Sequence, residues 1–487
     1  MKTYETELCV IAAGPAGLAA AIAAAERGTE VLVLEKSGTT GGTANMGMGP
    51  LGVETRQQRE NLDGLTREKA FYEFMNYTHW RSDALLVKKY IDKSASTIEW
   101  LEDMGVEFAA ASRFYKDSEA TWHYVKPKTG RPGPRAASDM TKCMTDRANE
   151  LGVEILFETW GVSLEKDETG AICAVLAKNA AGEDVRVECL AAVIATGGFA
   201  GNPEWIKKYT GYTYREDIFS YEGPGLTGDG IRMAWEAGAG STEMRMELNY
   251  MIPDNMGHFS IDAVMRQPNV MVNLQGERFY NEDMLGNGTY TTNAISMQKG
   301  KMGFILMDES IKEHYRKHGL DLISIVHGKD IIDEFEADIA AAKAEGYPHF
   351  FEADSIEELC EKTGIDLKGL KETLETYNRD CAGGRDTLFG KDYRYMKPLL
   401  GPKYYAARFV VAGYGSLGGI KINHRTEVIT EDFEPIPGLY AAGTDACSIY
   451  GDSYVFLLPG NTMGFALNSG RMAGENATEY IKENFES

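Results

Sequence analysis

The feature that most constrains this chain lies between residues 7 and 35. An apolar run, Leu8–Ile11, predicts a buried parallel strand, and it leads into Ala-Ala-Gly-Pro-Ala-Gly at 12–17. An alanine-rich helix, a second apolar run at Val31–Leu34 and the acid Glu35 follow. This is the order of elements in a βαβ unit that binds a dinucleotide. The sequence therefore predicts a dinucleotide site rather than an ordinary βαβ with a glycine-rich turn.

Each position of this turn has a physical role. Gly14 allows the backbone to approach a pyrophosphate, and Gly17 allows the helix to pack closely on the strand. The start of the helix offers N–H groups and a positive dipole end to the phosphates. Glu35 stands where a carboxylate accepts hydrogen bonds from ribose hydroxyls. Ala12 replaces the first glycine of the fingerprint, and we expect this small residue to fit the turn.

Composition excludes several other classes of protein. The 487 residues suffice for two or three domains. A net charge of −23 argues against nucleic-acid binding and against anionic membrane surfaces. We find no apolar run long enough to span a bilayer, and the short segment before the first strand predicts no secretory leader. The seven cysteines are scattered and include no C-x-x-C pair, so we predict no metal site. We expect them to be reduced thiols of a cytoplasmic protein.

The sequence pattern changes twice along the chain. Residues 1–248 alternate strands, helices and glycine-rich turns, 249–411 mix short strands with charged helices, and 412–487 return to the first pattern and end in a helix at 461–483. This alternation predicts a nucleotide-binding fold interrupted by an inserted lobe. Predicted helices span 82–105, 137–151, 310–317, 328–345, 355–363 and 367–380. A predicted β meander covers 153–159, 162–166, 171–179 and 184–189.

Further motifs follow the N-terminal βαβ unit: Gly41-Gly42, Ala-Thr-Gly-Gly-Phe at 195–199, Thr-Gly-Asp-Gly at 227–230, the Val-Asn to Asn-Glu segment at 272–282, Tyr377-Asn378, Pro-Gly-Leu-Tyr-Ala-Ala-Gly at 437–443 and Gly-Arg-x-Ala-Gly at 470–474. Through these motifs, and over essentially its whole length, the chain resembles the flavoproteins that include fumarate reductases, succinate dehydrogenases and 3-ketosteroid dehydrogenases. The resemblance implies an α/β fold: a Rossmann-like FAD-binding domain of the glutathione-reductase type (1–248 and 412–487) with an inserted α+β capping domain (249–411) that closes over the isoalloxazine.

The resemblance also implies which residues hold FAD. The expected cofactor-binding residues are Ala12, Gly14, Pro15, Ala16, Gly17, Glu35, Lys36, Gly41, Gly42, Thr43, Ala195, Thr196, Gly197, Gly198, Asp229, Gly443, Asp445, Gly460, Asn461 and Thr462. Covalent members carry a histidine in the glycine-rich loop, and residues 41–49 contain none, so we expect FAD without a covalent bond. The last helix would point its N-terminus at the flavin pyrimidine and favour the negative charge of the reduced flavin. Asp445 could instead be a turn residue, and Asp229 part of a helix cap.

The chain departs from the family where a dicarboxylate would bind. Family histidines fall at Tyr250–Pro253 and at Tyr414–Ser416, and neither segment contains a histidine. The arginine acid is expected within 283–292 and the clamp arginine within 452–460, yet both ranges lack arginine. A dicarboxylate buried without such partners would cost on the order of several kcal/mol. The sequence therefore predicts that fumarate is not the substrate.

Aromatic residues and methionines stand in these places and predict a neutral ring substrate, because rings stack on it and phenols bond its oxygens. Tyr414 and Tyr454 are the main candidates for substrate contact or proton donation, with Tyr290 as a third; any of them could instead be a packing residue. Asp262 and Arg266 match the family's proton path, or form a surface ion pair. His258 lies nearby, and it could simply be packed or solvated.

Together these features predict an FAD-dependent oxidoreductase that transfers a hydride from flavin N5 to a neutral cyclic substrate of isoflavonoid, steroid or enone type. Gut bacterial reductases of plant polyphenols and steroids are similar. Its partners would be a small-molecule substrate and an external electron donor, either NAD(P)H or a carrier protein. Two alternatives remain: a 3-ketosteroid-type dehydrogenase working in the oxidising direction, and a flavin electron-transfer subunit of a larger complex.

Overall fold

The computed structural model describes residues 2–220, 223, 225–323 and 329–485. The helices are α1 (Pro15–Ala25), α2 (Arg56–Glu60), α3 (Arg67–Tyr77), α4 (Ala84–Asp103), α5 (Ala137–Glu150), α6 (Pro203–Thr210), α7 (Asp229–Glu236), α8 (Phe259–Met265), α9 (Gly288–Ser296), α10 (Glu309–His318), α11 (Phe335–Glu345), α12 (Ile356–Thr363), α13 (Leu367–Gly383) and α14 (Asn461–Phe485).

The strands are β1 (Lys2–Glu5), β2 (Leu8–Ile11), β3 (Val31–Leu34), β4 (Phe108–Ser112), β5 (Trp122–Val125), β6 (Glu154–Leu156), β7 (Thr159–Lys166), β8 (Ile172–Asn179), β9 (Asp184–Glu188), β10 (Ala191–Ile194), β11 (Phe219–Ser220), β12 (Arg245–Met251), β13 (Met271–Val272), β14 (Met302–Asp308), β15 (Phe350–Ala353), β16 (Tyr404–Gly419), β17 (Glu427–Ile429), β18 (Pro435–Ala441) and β19 (Ala446–Cys447).

The chain divides into two units. The first unit comprises Met1–Gly211, Glu222–Glu247 and Gly415–Ser487, and the second comprises Tyr212–Tyr221 and Leu248–Tyr414. The first unit is built on a six-stranded sheet in the order β17-β18-β10-β2-β3-β6, parallel throughout except for β17. Parallel strands with crossover helices confirm the predicted α/β, Rossmann-like fold class.

The predicted βαβ unit is present as β2, α1 and β3. All four residues of β2 and of β3 are buried, as expected for central parallel strands. Helix α1 starts with proline at its first turn and then consists mostly of small residues. Those small residues allow α14 to approach closely: a Cβ on Gly470 would lie 2.1 Å from the Ala16 carbonyl oxygen, and one on Gly474 would lie 2.1 Å from that of Ala20. The two helices therefore touch backbone to backbone.

The predicted meander is partly wrong. Strand β6 does not belong to it, because β6 pairs in parallel with β3 at the edge of the main sheet. The remaining strands form a second sheet in the order β1-β9-β8-β7, in which β7–β8 and β8–β9 are antiparallel hairpins. Sequence alternation predicts that residues 153–159 are extended, but it does not identify the partner strand.

Helix boundaries follow local capping. Helix α4 begins after Asp83, whose carboxylate accepts hydrogen bonds from the N–H groups of Leu85 and Leu86, so the predicted start at residue 82 is early by two positions. Of the predicted helix at 328–345, residue 328 lies outside the described residues. The segment Lys329–Glu334 is a 3₁₀ helix, and only α11 is α-helical.

The second unit contains a mixed sheet around β16. Within this unit β14 and β15 both pair antiparallel with β16, and β13 pairs antiparallel with β14. The Arg-Phe-x-Asn-Glu motif follows β13. Its Arg278 guanidinium donates to Glu282 (2.9 and 2.7 Å) and to Asp386 (2.7 and 3.1 Å), and the three side chains are almost fully buried. Because the network is buried, the stability of the fold depends on each of its members: removing one leaves an unpaired charge in the core, which lowers the free energy of unfolding.

Removing Arg278 should destabilise the chain strongly. We expect Arg278→Met to lower the free energy of unfolding by about 3–5 kcal/mol, because it leaves Asp386 buried without its cation and leaves Glu282 with the more distant Lys391, 3.5 Å away. Urea unfolding followed by circular dichroism measures this. Arg394→Met is the matched control, since Arg394 is exposed and forms a surface ion pair with Asp392, and it should cost less than about 1 kcal/mol. Equal urea midpoints for Arg278→Met and Arg394→Met would contradict the stabilising role of the buried Arg278 network.

The buried Arg278 network should also make the free energy of unfolding depend on pH in the acid range. Burial raises the pKa of Asp386, but the hydrogen bonds and positive charge of Arg278, together with the N–H groups of Lys391 and Leu388, outweigh it and lower the pKa to about 2. A carboxyl with a depressed pKa stabilises the fold above its unfolded pKa near ~4, and this contribution is lost as the pH falls toward 2. Arg278→Met should therefore flatten the loss of stability between pH 4 and 2.

Candidate active site

The dinucleotide turn is tightly constrained in the first unit. Ala12 adopts a left-handed conformation (φ 88°), and its N–H donates to the Leu34 carbonyl at 2.7 Å. A non-glycine residue there is strained by roughly 1–2 kcal/mol. A Cβ on Gly17 would lie 1.8 Å from the Ala12 carbonyl oxygen, so only glycine fits at that position. The missing first glycine is thus tolerated at Ala12 at the expense of strain, whereas Gly17 cannot be replaced.

The turn and the glycine-rich loop together fit a pyrophosphate. No side chain caps the start of α1, and a Cβ added to Gly14 would meet no protein atom within 4 Å. Gly41 donates its N–H to the Ala13 carbonyl at 2.8 Å, and a Cβ on Gly42 would lie 3.6 Å from the Gly14 Cα. Side-chain-free backbone thus lines the front of the helix N-terminus, which is the arrangement that binds phosphate groups.

Glu35 is buried directly after β3, and its carboxylate accepts a hydrogen bond from the dinucleotide turn. One carboxylate oxygen accepts from the Ala13 N–H at 2.7 Å, and the other accepts from the N–H (2.7 Å) and hydroxyl (2.8 Å) of Ser37. The first of these oxygens retains a lone pair, so a ribose hydroxyl can still donate to it. The next residue, Lys36, forms an ion pair with Asp229 at 3.0 Å in the first turn of α7. Two residues predicted to bind the cofactor therefore contact each other.

Asp445 holds the Thr-Gly-Gly turn. Its buried carboxylate accepts from the N–H groups of Thr196, Gly197 (3.2 Å) and Gly198 (2.8 Å), and from the Thr196 hydroxyl (2.9 and 3.0 Å). Burial raises the pKa of Asp445, and these donors lower it in part. Gly197 and Gly198 have φ values of 94° and 84°, which explains why glycines occupy this turn. The contacts favour a turn-holding role for Asp445 over a direct bond to the ribityl chain.

The remaining predicted cofactor segments meet at the start of α14. A Cβ on Gly443 would lie 3.0 Å from the Ala16 Cβ, and the Gly443 N–H donates to the Ser469 hydroxyl at 2.9 Å. Gly460 accepts a hydrogen bond from the Leu51 N–H at 2.8 Å. The structure therefore brings the start of α1, the turn after β18 and the N-terminal half of α14 together within the first unit.

A cluster of phenols surrounds the first two residues of α14. The hydroxyls of Tyr90 and Tyr450 lie 2.9 and 3.4 Å from the Asn461 amide oxygen, and the Thr462 N–H donates to the Tyr454 hydroxyl at 3.2 Å. Tyr454 was predicted; Tyr90, on α4, was missed because its buried helical position looks like any packed aromatic.

Glu247, near the start of β12, is a second residue that the sequence did not reveal. It is buried, and its two carboxylate oxygens lie 3.2 and 3.1 Å from the Thr462 hydroxyl. Burial raises the pKa of Glu247 to about 8, and the Thr462 hydrogen bond lowers it in part. A lone glutamate between apolar residues of a strand gives no sequence signal for this environment.

The predicted acid–arginine pair lies in the second unit. Arg266, at the end of α8, donates two hydrogen bonds to Asp262 (2.9 and 3.0 Å), and its guanidinium stacks 4.2 Å from the Tyr250 ring centroid. Both side chains are largely buried, so the alternative of a surface ion pair is wrong. Tyr250 itself donates its hydroxyl to the Leu285 carbonyl at 2.8 Å.

The other candidates in the second unit differ in exposure. Tyr414 is 45% exposed, and Tyr290 is 39% exposed in the first turn of α9, which Asn287 caps. His258 is buried, its ring is tilted against that of Tyr347 with centroids 4.6 Å apart, and its Nε2 lies 3.1 Å from Glu345, so it is a packed histidine.

The part of the chain that the structure describes contains neither a cluster of metal ligands nor a helix suited to a membrane. Within residues 2–220, 223, 225–323 and 329–485, no group of three or more histidine, cysteine or acidic side chains could hold a metal ion. In the same ranges, none of the helices combines the length and apolar character that a membrane crossing requires.

Replacing Asp445 tests its role in the turn. Asp445→Asn keeps the size but turns one acceptor oxygen into a donor facing the Thr196–Gly198 amides. We expect a loss of about 2–3 kcal/mol of unfolding free energy, measured by urea unfolding. Asp432→Asn, at an exposed carboxylate of the same unit, serves as the control and should change little. A stability of Asp445→Asn equal to that of the wild type would rule out the turn-holding role.

Comparison with known proteins agrees with this geometry. Residues 7–462 match the family model described as "FAD binding domain". The chain is 34% identical to vinyl phenol reductase of Lactiplantibacillus plantarum, covering 98% of this chain and 97% of that protein. It is 28% identical to fumarate reductase (cytochrome) of Shewanella frigidimarina, covering 98% and 78%.

A solved structure shows the same fold. The 3-ketosteroid-Δ4-(5α)-dehydrogenase from Rhodococcus jostii RHA1 matches with a TM-score of 0.75 at 24% identity, covering 98% of this chain and 97% of that one. The predicted family, FAD cofactor and oxidoreductase class are thereby confirmed. The chain belongs to the FAD-binding flavoprotein family of fumarate reductases and related dehydrogenases, and it is an FAD-dependent oxidoreductase.

Proposed function

We propose that this enzyme reduces a carbon–carbon double bond in a neutral, ring-containing substrate of phenolic or enone type, and that dicarboxylates are not substrates. In this proposal the first unit is the FAD-binding domain, the second is the capping domain, and FAD is held without a covalent bond. An external donor, NAD(P)H or a carrier protein, supplies the electrons. Bound FAD would provide the hydride from its N5.

The observation that carries this proposal is the row of rings beside the start of α14. Ring centroids are 5.1 Å apart for Tyr450–Tyr454, 5.0 Å for Tyr454–Phe456 and 6.0 Å for Phe456–Phe114. Tyr454 and Phe456 lie in the segment 452–460 and Tyr450 lies just before it, where the family resemblance calls for a clamp arginine and the sequence has none. Aromatic side chains favour a flat, uncharged ligand, whereas a carboxylate would be desolvated there without a cation.

The vinyl phenol reductase relative supports the same substrate class. It is 34% identical over nearly the whole of both chains, and its name specifies a neutral phenol with a conjugated vinyl group. Such a molecule has a ring to stack and a hydroxyl to hydrogen-bond. This combination agrees with a lining of phenols and apolar rings.

Two groups are proposed for proton handling. The Tyr454 hydroxyl accepts from the Thr462 N–H, and a phenol held by a backbone donor is positioned to give its own proton to a substrate. In the second unit, Asp262 holds the Arg266 guanidinium through two hydrogen bonds, which fixes the guanidinium in one orientation. Mutation distinguishes the two candidates.

A substrate screen tests the proposal directly. Purified enzyme with reduced viologen should turn over 4-vinylphenol or a cyclic enone and leave fumarate unreduced, because only the neutral compounds match the aromatic lining. Isoflavonoids are tested with reduced viologen in the same way. Saturated ketosteroids are tested with an artificial electron acceptor, which reports activity in the oxidising direction. Turnover of fumarate alone would overturn the proposal.

Tyr454→Phe tests the phenol. If Tyr454 donates the proton, kcat should fall by about 10²–10⁴-fold, measured in the steady state with the substrate found above. Tyr440→Phe removes another buried phenol of the first unit, which donates to the Asn476 carbonyl at 3.2 Å, and should leave kcat nearly unchanged. An equal kcat for Tyr454→Phe and wild type would leave Arg266 and Asp262 as the candidates.

A further inference from the structure

Glu247 is a buried acid that the proposed chemistry does not use. It is 4% exposed, near the start of β12, and the Thr462 hydroxyl donates to it, at 3.2 and 3.1 Å from the two carboxylate oxygens. The backbone of Gly415 passes close by, since a Cβ on Gly415 would lie 3.1 Å from the carboxylate. Among the residues that the structure describes, no lysine, arginine or histidine forms an ion pair with Glu247.

The groups that face Glu247 are neutral acids rather than cations. Cys447 on β19 and Tyr450 after it both interact with its charge, and Tyr450 in turn faces Tyr90 and Tyr454. Asp445 faces Cys447 from the same segment. Burial raises the pKa of the Cys447 thiol and of the Tyr450 hydroxyl, and the charge of Glu247 raises both further, so neither ionises near neutral pH.

Burial also decides the state of Glu247 itself. It raises the pKa of the carboxyl to about 8, although the Thr462 hydroxyl lowers it in part. A carboxyl without a cation in a buried site takes a proton because the charged form is poorly solvated. Burial therefore favours the neutral form of Glu247 near neutral pH, and the charged form is reached only as the pH rises past that pKa.

Thr462 connects Glu247 to the first turn of α14. Its N–H donates to the Tyr454 hydroxyl at 3.2 Å, while its own hydroxyl meets the Glu247 carboxyl. The N-terminus of a helix carries a partial positive charge that favours an anion, and a second negative charge at the same turn would compete with that anion. The protonation state of Glu247 thus sets how much negative charge this turn can accept.

We propose that Glu247 is a proton-binding positioning residue that acts through Thr462: its neutral form leaves the first turn of α14 free to stabilise the negative charge of the reduced flavin. This inference rests on the proposed role of Asn461 and Thr462 in holding FAD. A carboxylate at this place would oppose the added charge, so flavin reduction at high pH should be accompanied by uptake of one extra proton from solvent on Glu247.

Glu247→Gln tests the inference, because glutamine keeps the size and hydrogen bonding of the neutral acid but cannot ionise. The holoenzyme is titrated with dithionite at pH 6–10, and the flavin midpoint potential is read from the absorbance. Above about pH 8 the wild type should take up one more proton per two electrons than Glu247→Gln does, and at pH 7 the two proteins should take up the same number. Glu243→Gln, at an exposed acid paired with Arg81 and Arg245, should behave as the wild type.

Infrared difference spectra provide a readout that a purely structural role would not move. Raising the pH of the oxidised holoenzyme from 6 to 10 should remove a protonated-carboxyl band from the wild type and from Glu243→Gln, and Glu247→Gln should lack that band. If Glu247→Gln fails to fold, Thr462→Val serves instead: it should retain the carboxyl band but lose the extra proton uptake. Equal proton uptake by the wild type and Glu247→Gln at pH 9, or the same band in Glu247→Gln, would overturn the inference.

These outcomes separate the inference from the proposed function. Flavin content is measured first, from the absorbance of the purified protein, and a protein without FAD would contradict the cofactor assignment. A flavin-loaded enzyme that fails to reduce any neutral ring compound would contradict the substrate proposal alone. A loaded enzyme whose flavin titrates identically in the wild type and in Glu247→Gln would contradict only the role of Glu247.

Discussion

The site of this enzyme depends on the backbone contact between α1 and α14. Gly470 and Gly474 have no room for a Cβ because the carbonyl oxygens of Ala16 and Ala20 lie where it would stand. Small side chains on both helices allow this approach, and larger ones would hold the axes 8–10 Å apart. The contact fixes two helix N-termini in one unit: that of α1 at the dinucleotide turn, and that of α14 among the phenols. Both partial positive charges are thereby held at fixed positions within the first unit.

Much of the first unit could be predicted from its sequence because the signals are local. The buried strands β2 and β3, the glycine at position 17 and the acid at position 35 each follow from sterics or hydrogen bonding within about 30 residues. The assignment of β6 failed because strand pairing is a long-range property. Residues 154–156 are extended either way, and only the tertiary fold places them beside β3 instead of β7.

The site shows the same division between local and long-range information. Glycines 197 and 198 could be predicted because their left-handed backbone admits few other residues. The roles of Asp445 and Glu247 could not, since a carboxylate in a strand-and-turn context has the same local pattern whether it is solvated or buried. Asp445 is surrounded by amide donors and Glu247 by a hydroxyl and apolar groups, and this difference arises from segments about 215–249 residues away. The burial of Asp262 and Arg266 was likewise invisible, because an i,i+4 ion pair suits a helix surface equally well.

The helix pair α1–α14 joins segments that lie far apart in the chain. At 5–20 residues per second, the ribosome needs roughly 20 to 90 s to synthesise the chain between Ala20 and Gly474. Until α14 is made the alanine face of α1 lacks its partner, and until β18 is made β10 lacks its neighbour. The inserted segment from Leu248 to Tyr414 is complete before either of them. The nucleotide-binding sheet therefore closes only after the inserted segment has been synthesised, which leaves the first unit exposed to chaperones for longer than the second.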